Sequence, residues 1–173
     1  MTRRSILLDT SPLITLCTFS VAGQLIIEHL LEIAAFTLVS TVVAEATANP
    51  AHADAAVVKR LLDEGRLLSL PVVATPLDTT IDNYIKLGIG ERDTIRVASA
   101  EPSMPLVLDD YLAFVIASRF SLTPILLLDL IVSFVNTGEL ERSLARAMVD
   151  KMAPRYSTPF VEHTRLKLEM GMK

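Results

Sequence analysis

Five carboxylates stand where a parallel α/β fold gathers its chemistry. Asp9 closes the apolar run Ser5-Ile6-Leu7-Leu8, and Asp109-Asp110 close the run Pro105-Leu106-Val107-Leu108. Glu45 comes shortly after Phe36-Thr37-Leu38-Val39, and Asp93 opens a helical pattern entered through Gly88-Ile89-Gly90. Short apolar runs of this kind read as buried strands. The carboxyl ends of parallel strands, and the helix starts that follow them, meet at one edge of the sheet. All five acids can therefore converge on one pocket. Converging carboxylates repel one another and burial raises their pKa, so a hard cation is the natural neutraliser. An oxygen-only donor set points to Mg²⁺ or Mn²⁺. In phosphodiester cleavage such ions activate water and stabilise in-line displacement.

Plainer uses compete with this one. Asp9 can cap the helix after it, with Thr10, Ser11 and Pro12 supplying helix-start chemistry. Asp93 can be a first-turn acid that favours the helix dipole, with Arg96 three positions on. Glu91 reads as a helix-start acid or a support for a neighbouring ligand. Glu45, flanked by Val43, Ala44 and Ala46, is harder to excuse, because an unpaired buried carboxylate is costly.

The elements needed to position these acids are legible in order. Helices are expected over Ser11–Phe19 and Gly23–Leu31, then a strand over Phe36–Val39. A helix follows from Val42, capped by Ser40 or Thr41 and ended by Asn49-Pro50. A longer helix over Ala51–Glu64 stops at Gly65. Leu67–Val73 reads as a strand, Thr79 or Thr80 to Leu87 as a short helix, Gly88–Gly90 as a turn and Glu91–Ala100 as a helix. Strands are then expected over Pro105–Leu108 and Leu122–Ile125, with a helix over Tyr111–Phe120 between them. From Leu126 the pattern is helical: to Asn136, from Gly138 to Met152 and from Thr158 to Met170. Alternating strands and helices followed by helices alone imply an α/β chain with a parallel sheet and a helical tail.

Taken together, Leu7-Leu8-Asp9-Thr10-Ser11, Val42-Val43-Ala44-Glu45, Gly90-Glu91-Arg92-Asp93-Thr94-Ile95 and Leu106-Val107-Leu108-Asp109-Asp110 resemble a PIN domain. That family includes the VapC-type toxins of prokaryotic toxin–antitoxin pairs. The resemblance covers about Ser5 to Ile125 and extends loosely into the tail. It implies a three-layer α/β/α fold with a central, mostly parallel sheet of four to five strands. Residues 1–125 would form the PIN-like domain, with 126–173 a helical extension packed on it. The family's acids fall on Asp9, Glu45, Asp93 and the Asp109-Asp110 pair, with Asp110 the closer match to the usual single aspartate. Ser11 takes the place of the hydroxyl neighbour in the first motif. The implied activity is Mg²⁺- or Mn²⁺-dependent ribonuclease cleavage of single-stranded or structured RNA, in which the acids hold metal and position the attacking water. The acid doublet, and Glu91 beside Asp93, leave open which member of each pair ligates.

The bulk properties bound these readings. The 173 residues carry a net charge of −4, whereas a protein holding nucleic acid by phosphate contacts alone is usually basic. A bound cation reconciles acid clusters with a phosphate substrate. Basic residues are dispersed. Arg92, Arg96 and Arg119 are the candidates for substrate phosphate, while Arg142, Arg146 and Arg155 read as a solvated face of the tail. Hydrophobic residues make up 51% of the chain and aromatics only 5%, as in a sheet covered on both faces. The excess of apolar residues suggests a homodimer. Cys17 reads as a small core residue, and His29, His52 and His163 have no partner at metal-ligand spacing. Arg3-Arg4 faintly resembles a signal sequence, but Asp9 and Pro12 interrupt the segment. Charges cut the later apolar runs, so no membrane span is expected and the setting is read as cytoplasmic. Three functions follow: an RNA-cleaving enzyme, plausible as a toxin held by an antitoxin; a non-catalytic binding module on the same fold; and an α/β phosphatase.

Overall fold

The structure is a computed structural model that describes residues 4–171; Arg3 and the outermost residues of both expected segments lie outside them. Five strands form one parallel sheet: β1 (Ser5–Leu8), β4 (Ala35–Val39), β5 (Leu67–Leu70), β6 (Leu106–Val107) and β7 (Pro124–Ile125), in the order β5-β4-β1-β6-β7. β1 runs through the middle. Its Leu7 pairs with Thr37 on one side and Leu106 on the other. Ile6, Leu7 and Leu8 are fully buried, which explains why this strand is continuously apolar rather than alternating. The chain builds outward from β1 to β5, then returns to lay β6 and β7 on the other side. The strand order thus reverses beside β1, which is where open α/β sheets form their ligand crevice.

Helices flank the sheet as a three-layer α/β/α arrangement. They are α1 (Thr10–Thr18), α2 (Ile26–Leu31), α3 (Ser40–Ala46), α4 (Ala53–Asp63), α5 (Asp78–Ile81), α6 (Ile89–Ala100), α7 (Tyr111–Arg119), α8 (Leu127–Asn136), α9 (Arg142–Met152) and α10 (Thr158–Met170). A 3₁₀ turn, Ala153–Arg155, joins the last two. Tail residues such as Leu128, Ile131, Phe134, Met148 and Leu168 belong to the same apolar cluster as the β1 leucines.

Several local expectations differ from the structure. The segment expected to be helical from Gly23 instead contains a hairpin, β2 (Ser20–Val21) and β3 (Gln24–Leu25). Ala22 (φ 52°) and Gly23 (φ 82°) both lie at positive φ, as a type I′ turn requires. His29 Nε2 meets the Val21 carbonyl at 3.1 Å and ties α2 to this hairpin. α1 starts at Thr10 with Asp9 as its N-cap residue, and α3 starts at Ser40 with Val39 in that place. Neither start has a side-chain cap, so the expected hydroxyl caps are absent. α6 begins at Ile89, which puts Gly90 inside the helix rather than in a turn. β5 stops at Leu70, three residues short of the expected end, and α5 is a single turn. Among the described residues, no helix is long and apolar enough to cross a membrane.

Candidate functional site

The carboxyl end of β1 delivers Asp9 into a pocket of about 260 Å³ lined by Asp9, Thr10, Ser11, Ile14, Glu45, Gly88, Glu91 and Arg155. Asp9 is 2% exposed, and its Oδ1 is buried with no hydrogen-bond partner. Burial pushes its carboxyl up to about 7, the charges of Glu91 and Glu45 add to the rise, and the N–H groups of Thr10 and Ser11 oppose it. An orphaned carboxylate oxygen among other acids is costly as it stands, and such sites invite a function.

Glu45 reaches the pocket from α3. Contrary to the expectation of a costly buried acid, it is exposed and well held. Thr10 Oγ1 donates to its Oε2 at 2.7 Å, and the Gly90 N–H donates to its Oε1 at 2.9 Å. The second contact explains a glycine inside α6, because a Cβ there would stand 2.4 Å from Glu45 Oε2. Glu91 follows on the next residue, its Oε2 accepting the Gly88 N–H at 2.8 Å. Burial raises its pKa, helped by the charges of Asp110 and Glu45 and opposed by the Gly88 N–H. Asp110 caps α7, taking the Ala113 N–H on Oδ1 at 2.8 Å. Asp9, Glu45, Glu91 and Asp110 thus form one electrostatically linked set. Among the described residues, no group of three or more His, Cys, Asp or Glu side chains is disposed to hold a metal ion.

A family model described as a PIN domain, DUF3368, matches residues 5–163. The chain belongs to the PIN domain family. No curated protein and no solved structure matches it. The PIN domain is a nuclease-type fold, and the match runs beyond the α/β alternation into α10.

Within this PIN domain the sequence-predicted residues divide. Asp9, Glu45, Ser11 and Glu91 line one pocket, and Asp110 is coupled to it through Glu91. Asp93 is not among them. It is 5% exposed and forms an ion pair with Arg96, whose guanidinium also pairs with Asp78 at 3.1 Å and with Asp82. Arg96 is therefore committed to three carboxylates rather than available to a phosphate. Arg92 leans on Asp82 at 3.5 Å. Arg119 ends α7, nine residues from Asp110 and so about 13 Å along the helix from the sheet edge. Asp109 is tied down on both oxygens: the Leu127 N–H donates to Oδ1 at 2.9 Å and the Tyr156 hydroxyl to Oδ2 at 2.6 Å. Burial raises its pKa, with those two donors and the Arg155 charge opposing.

Arg155 is exposed, as a solvated tail face requires, and it also lines the acid pocket. Its place depends on the tail folding back over the sheet edge, where Tyr156 anchors to Asp109 across 47 residues of chain. No local pattern in the sequence signals that contact.

Proposed function

We propose that this chain is a divalent-metal-dependent nuclease that hydrolyses RNA phosphodiester bonds. The observation that carries the reading is the buried, unpartnered Oδ1 of Asp9 in a pocket of acids at the sheet's switch point. The donor set suits a hard cation: it is oxygen-only, mutually repelling and centred on a carboxylate that lacks a partner. Asp9, Glu45 and Glu91, with Asp110 beside them, would hold Mg²⁺ or Mn²⁺. The bound ion would supply Lewis acidity and lower the pKa of water at neutral pH.

The protein's own groups then have separate tasks. The Asp9 carboxylate accepts the attacking water's hydrogen bond and fixes its line of approach. Thr10 and Gly90 hold Glu45 in place, so that its charge needs no reorganisation during the reaction. Arg155, the cation among the pocket-lining residues, contacts a substrate phosphate and offsets the charge that makes an acidic protein a poor RNA binder. Asp93 acts indirectly, fixing α6 through Arg96. Exposed Ile85 and Ile89 precede the acid-bearing stretch of α6 and give a second copy or an inhibitory antitoxin apolar surface to cover.

A second reading, a non-catalytic binding module, draws support from the lack of a ready-made three-ligand group among the described residues. Calorimetric titration of Mn²⁺ together with an RNA cleavage assay separates the two. The enzyme reading expects a Mn²⁺ site that Asp9→Asn removes and cleavage that requires it. The module reading expects RNA binding with neither.

A further inference from the structure

Beside the acid pocket lies a second concavity of about 440 Å³, lined by Asp109, Tyr111, Phe114, Leu126, Tyr156, Ser157 and Phe160. Its volume falls in the range of small-ligand pockets, about 300–1,000 Å³. Its walls are largely aromatic in a chain where only 5% of residues are aromatic. Tyr111 is 82% exposed, so its ring is not serving the core. Tyr156 and Phe160 meet edge to face with centroids 5.8 Å apart, which stiffens one wall. Tyr156 is locked further by its hydroxyl bond to Asp109.

The two concavities adjoin through consecutive residues. Arg155 lines the acid pocket while Tyr156 and Ser157 line the aromatic groove. Tyr111 of the groove directly follows Asp110, the N-cap residue of α7 at the carboxyl edge of the sheet. An acid centre, a guanidinium and an aromatic slot thus follow one another within a few residues. Those are the side chains that a phosphate and a neighbouring unpaired base would call for: charge for the one and a π-face for the other. A duplex keeps its bases stacked inside and cannot fill the slot, whereas a single strand can.

We infer that this groove stacks one unpaired base of single-stranded RNA, next to the phosphate bound at the acid pocket. The inference rests on the nucleic-acid reading above but requires neither metal nor cleavage. Stacking holds the strand in register and makes the protein selective for unpaired RNA. Arg155 bridges the two concavities by charge, and the aromatic walls accept a base without reading its edge, because every base offers a π-face.

The test uses the full chain with EDTA, so that nothing is cut. An eight-nucleotide RNA carrying one 2-aminopurine is titrated with the protein, and its fluorescence and anisotropy are followed together. The expected result is binding with quenching of the stacked base, with the matching duplex binding more weakly. Tyr111→Ala and Phe160→Ala are each expected to weaken binding about 5- to 100-fold and to relieve quenching. Tyr111 is exposed, so its variant folds; circular dichroism checks Phe160→Ala. Binding that is unquenched and indifferent to both substitutions overturns the groove while leaving the nuclease reading standing. Equal affinity for the duplex also overturns it. Dimerisation that Tyr111→Ala abolishes, with RNA binding intact, assigns the groove to a second copy and overturns it as well. Failure of any RNA to bind in EDTA overturns the groove, while the nuclease reading stands or falls on the Mn²⁺ titration and cleavage assay above.

Discussion

Replacing Gly90 by alanine separates the site from the fold. Gly90 is the second residue of α6 and its φ is not positive, so alanine adopts the same backbone without strain. Alanine gains up to about 1 kcal/mol of helix propensity over glycine. The new Cβ, however, would stand 2.4 Å from Glu45 Oε2, 2.8 Å from Cδ and 2.9 Å from Oε1. Ordinary contact begins near 3.4 Å, so the carboxylate must retreat by about 1 Å. Glu45 is exposed and flexible, and it moves rather than the helix. Its bonds from Thr10 and Gly90 are lost, at about 0.5–1.5 kcal/mol each before solvent compensates. Gain and loss leave stability between that of the parent and about 2 kcal/mol below it. A displacement of 1 Å in a catalytic group costs about a hundredfold in rate. The assay is single-turnover cleavage of a labelled RNA in Mn²⁺, paired with thermal unfolding. In the Gly90→Ala/Glu45→Ala double variant the effects are not additive, because both act on one carboxylate, so it cleaves no more slowly than Glu45→Ala alone. A Gly90→Ala protein that cleaves at the parental rate would refute the role given to Glu45.

Three further outcomes follow from the same geometry. Burial pushes the Asp9 carboxyl up to about 7 against 3.8 for a free aspartate, so the folded state binds more protons between those values and stability falls as pH rises from about 4 to about 7, by about 4 kcal/mol in all. Without metal, Asp9→Asn is expected to flatten that slope and raise the midpoint at pH 8 by about 10 °C, while Mn²⁺ stabilises the parent alone; an unchanged slope counts against a buried, ionising Asp9. Arg96→Ala strands buried Asp93 without its partner and costs about 3 kcal/mol, read as a lower unfolding midpoint with Mn²⁺ affinity unchanged; a lost Mn²⁺ site would instead make Asp93 a ligand. Tyr156→Phe leaves Asp109 Oδ2 short of a donor and costs about 1–3 kcal/mol in urea unfolding, so a neutral result would mean that the hydroxyl does not anchor the tail.

What the sequence made legible was position along strands. Asp9 was readable because an apolar run ends just before it and Glu45 because it falls in the helix that follows the next strand, and parallel strands share one carboxyl edge. The choice between Glu91 and Asp93 was not readable in the same way. Two residues apart on a helix, they point about 200° away from each other. Which one faces the crevice follows from how α6 packs: it begins at Ile89, just before the Gly90 N–H that Glu45 accepts, and glycine spacing alone does not give that start. The role of Asp109 was hidden for a similar reason, since its partners Leu127 and Tyr156 lie far along the chain. Arg155 reaches the site by the same long return. The hairpin at Ala22-Gly23 escaped notice because alanine at positive φ carries no turn signal.

Asp9 stands at the centre of the proposed metal-dependent phosphodiester site. The most direct test of this compares the parent and Asp9→Asn at pH 8 on a single-stranded RNA, with Mn²⁺ added or chelated. Cleavage is expected from the parent only in Mn²⁺, and none from Asp9→Asn while that variant remains folded and at least as stable. Cleavage by Asp9→Asn at the parental rate, or by the parent in chelator, would contradict it.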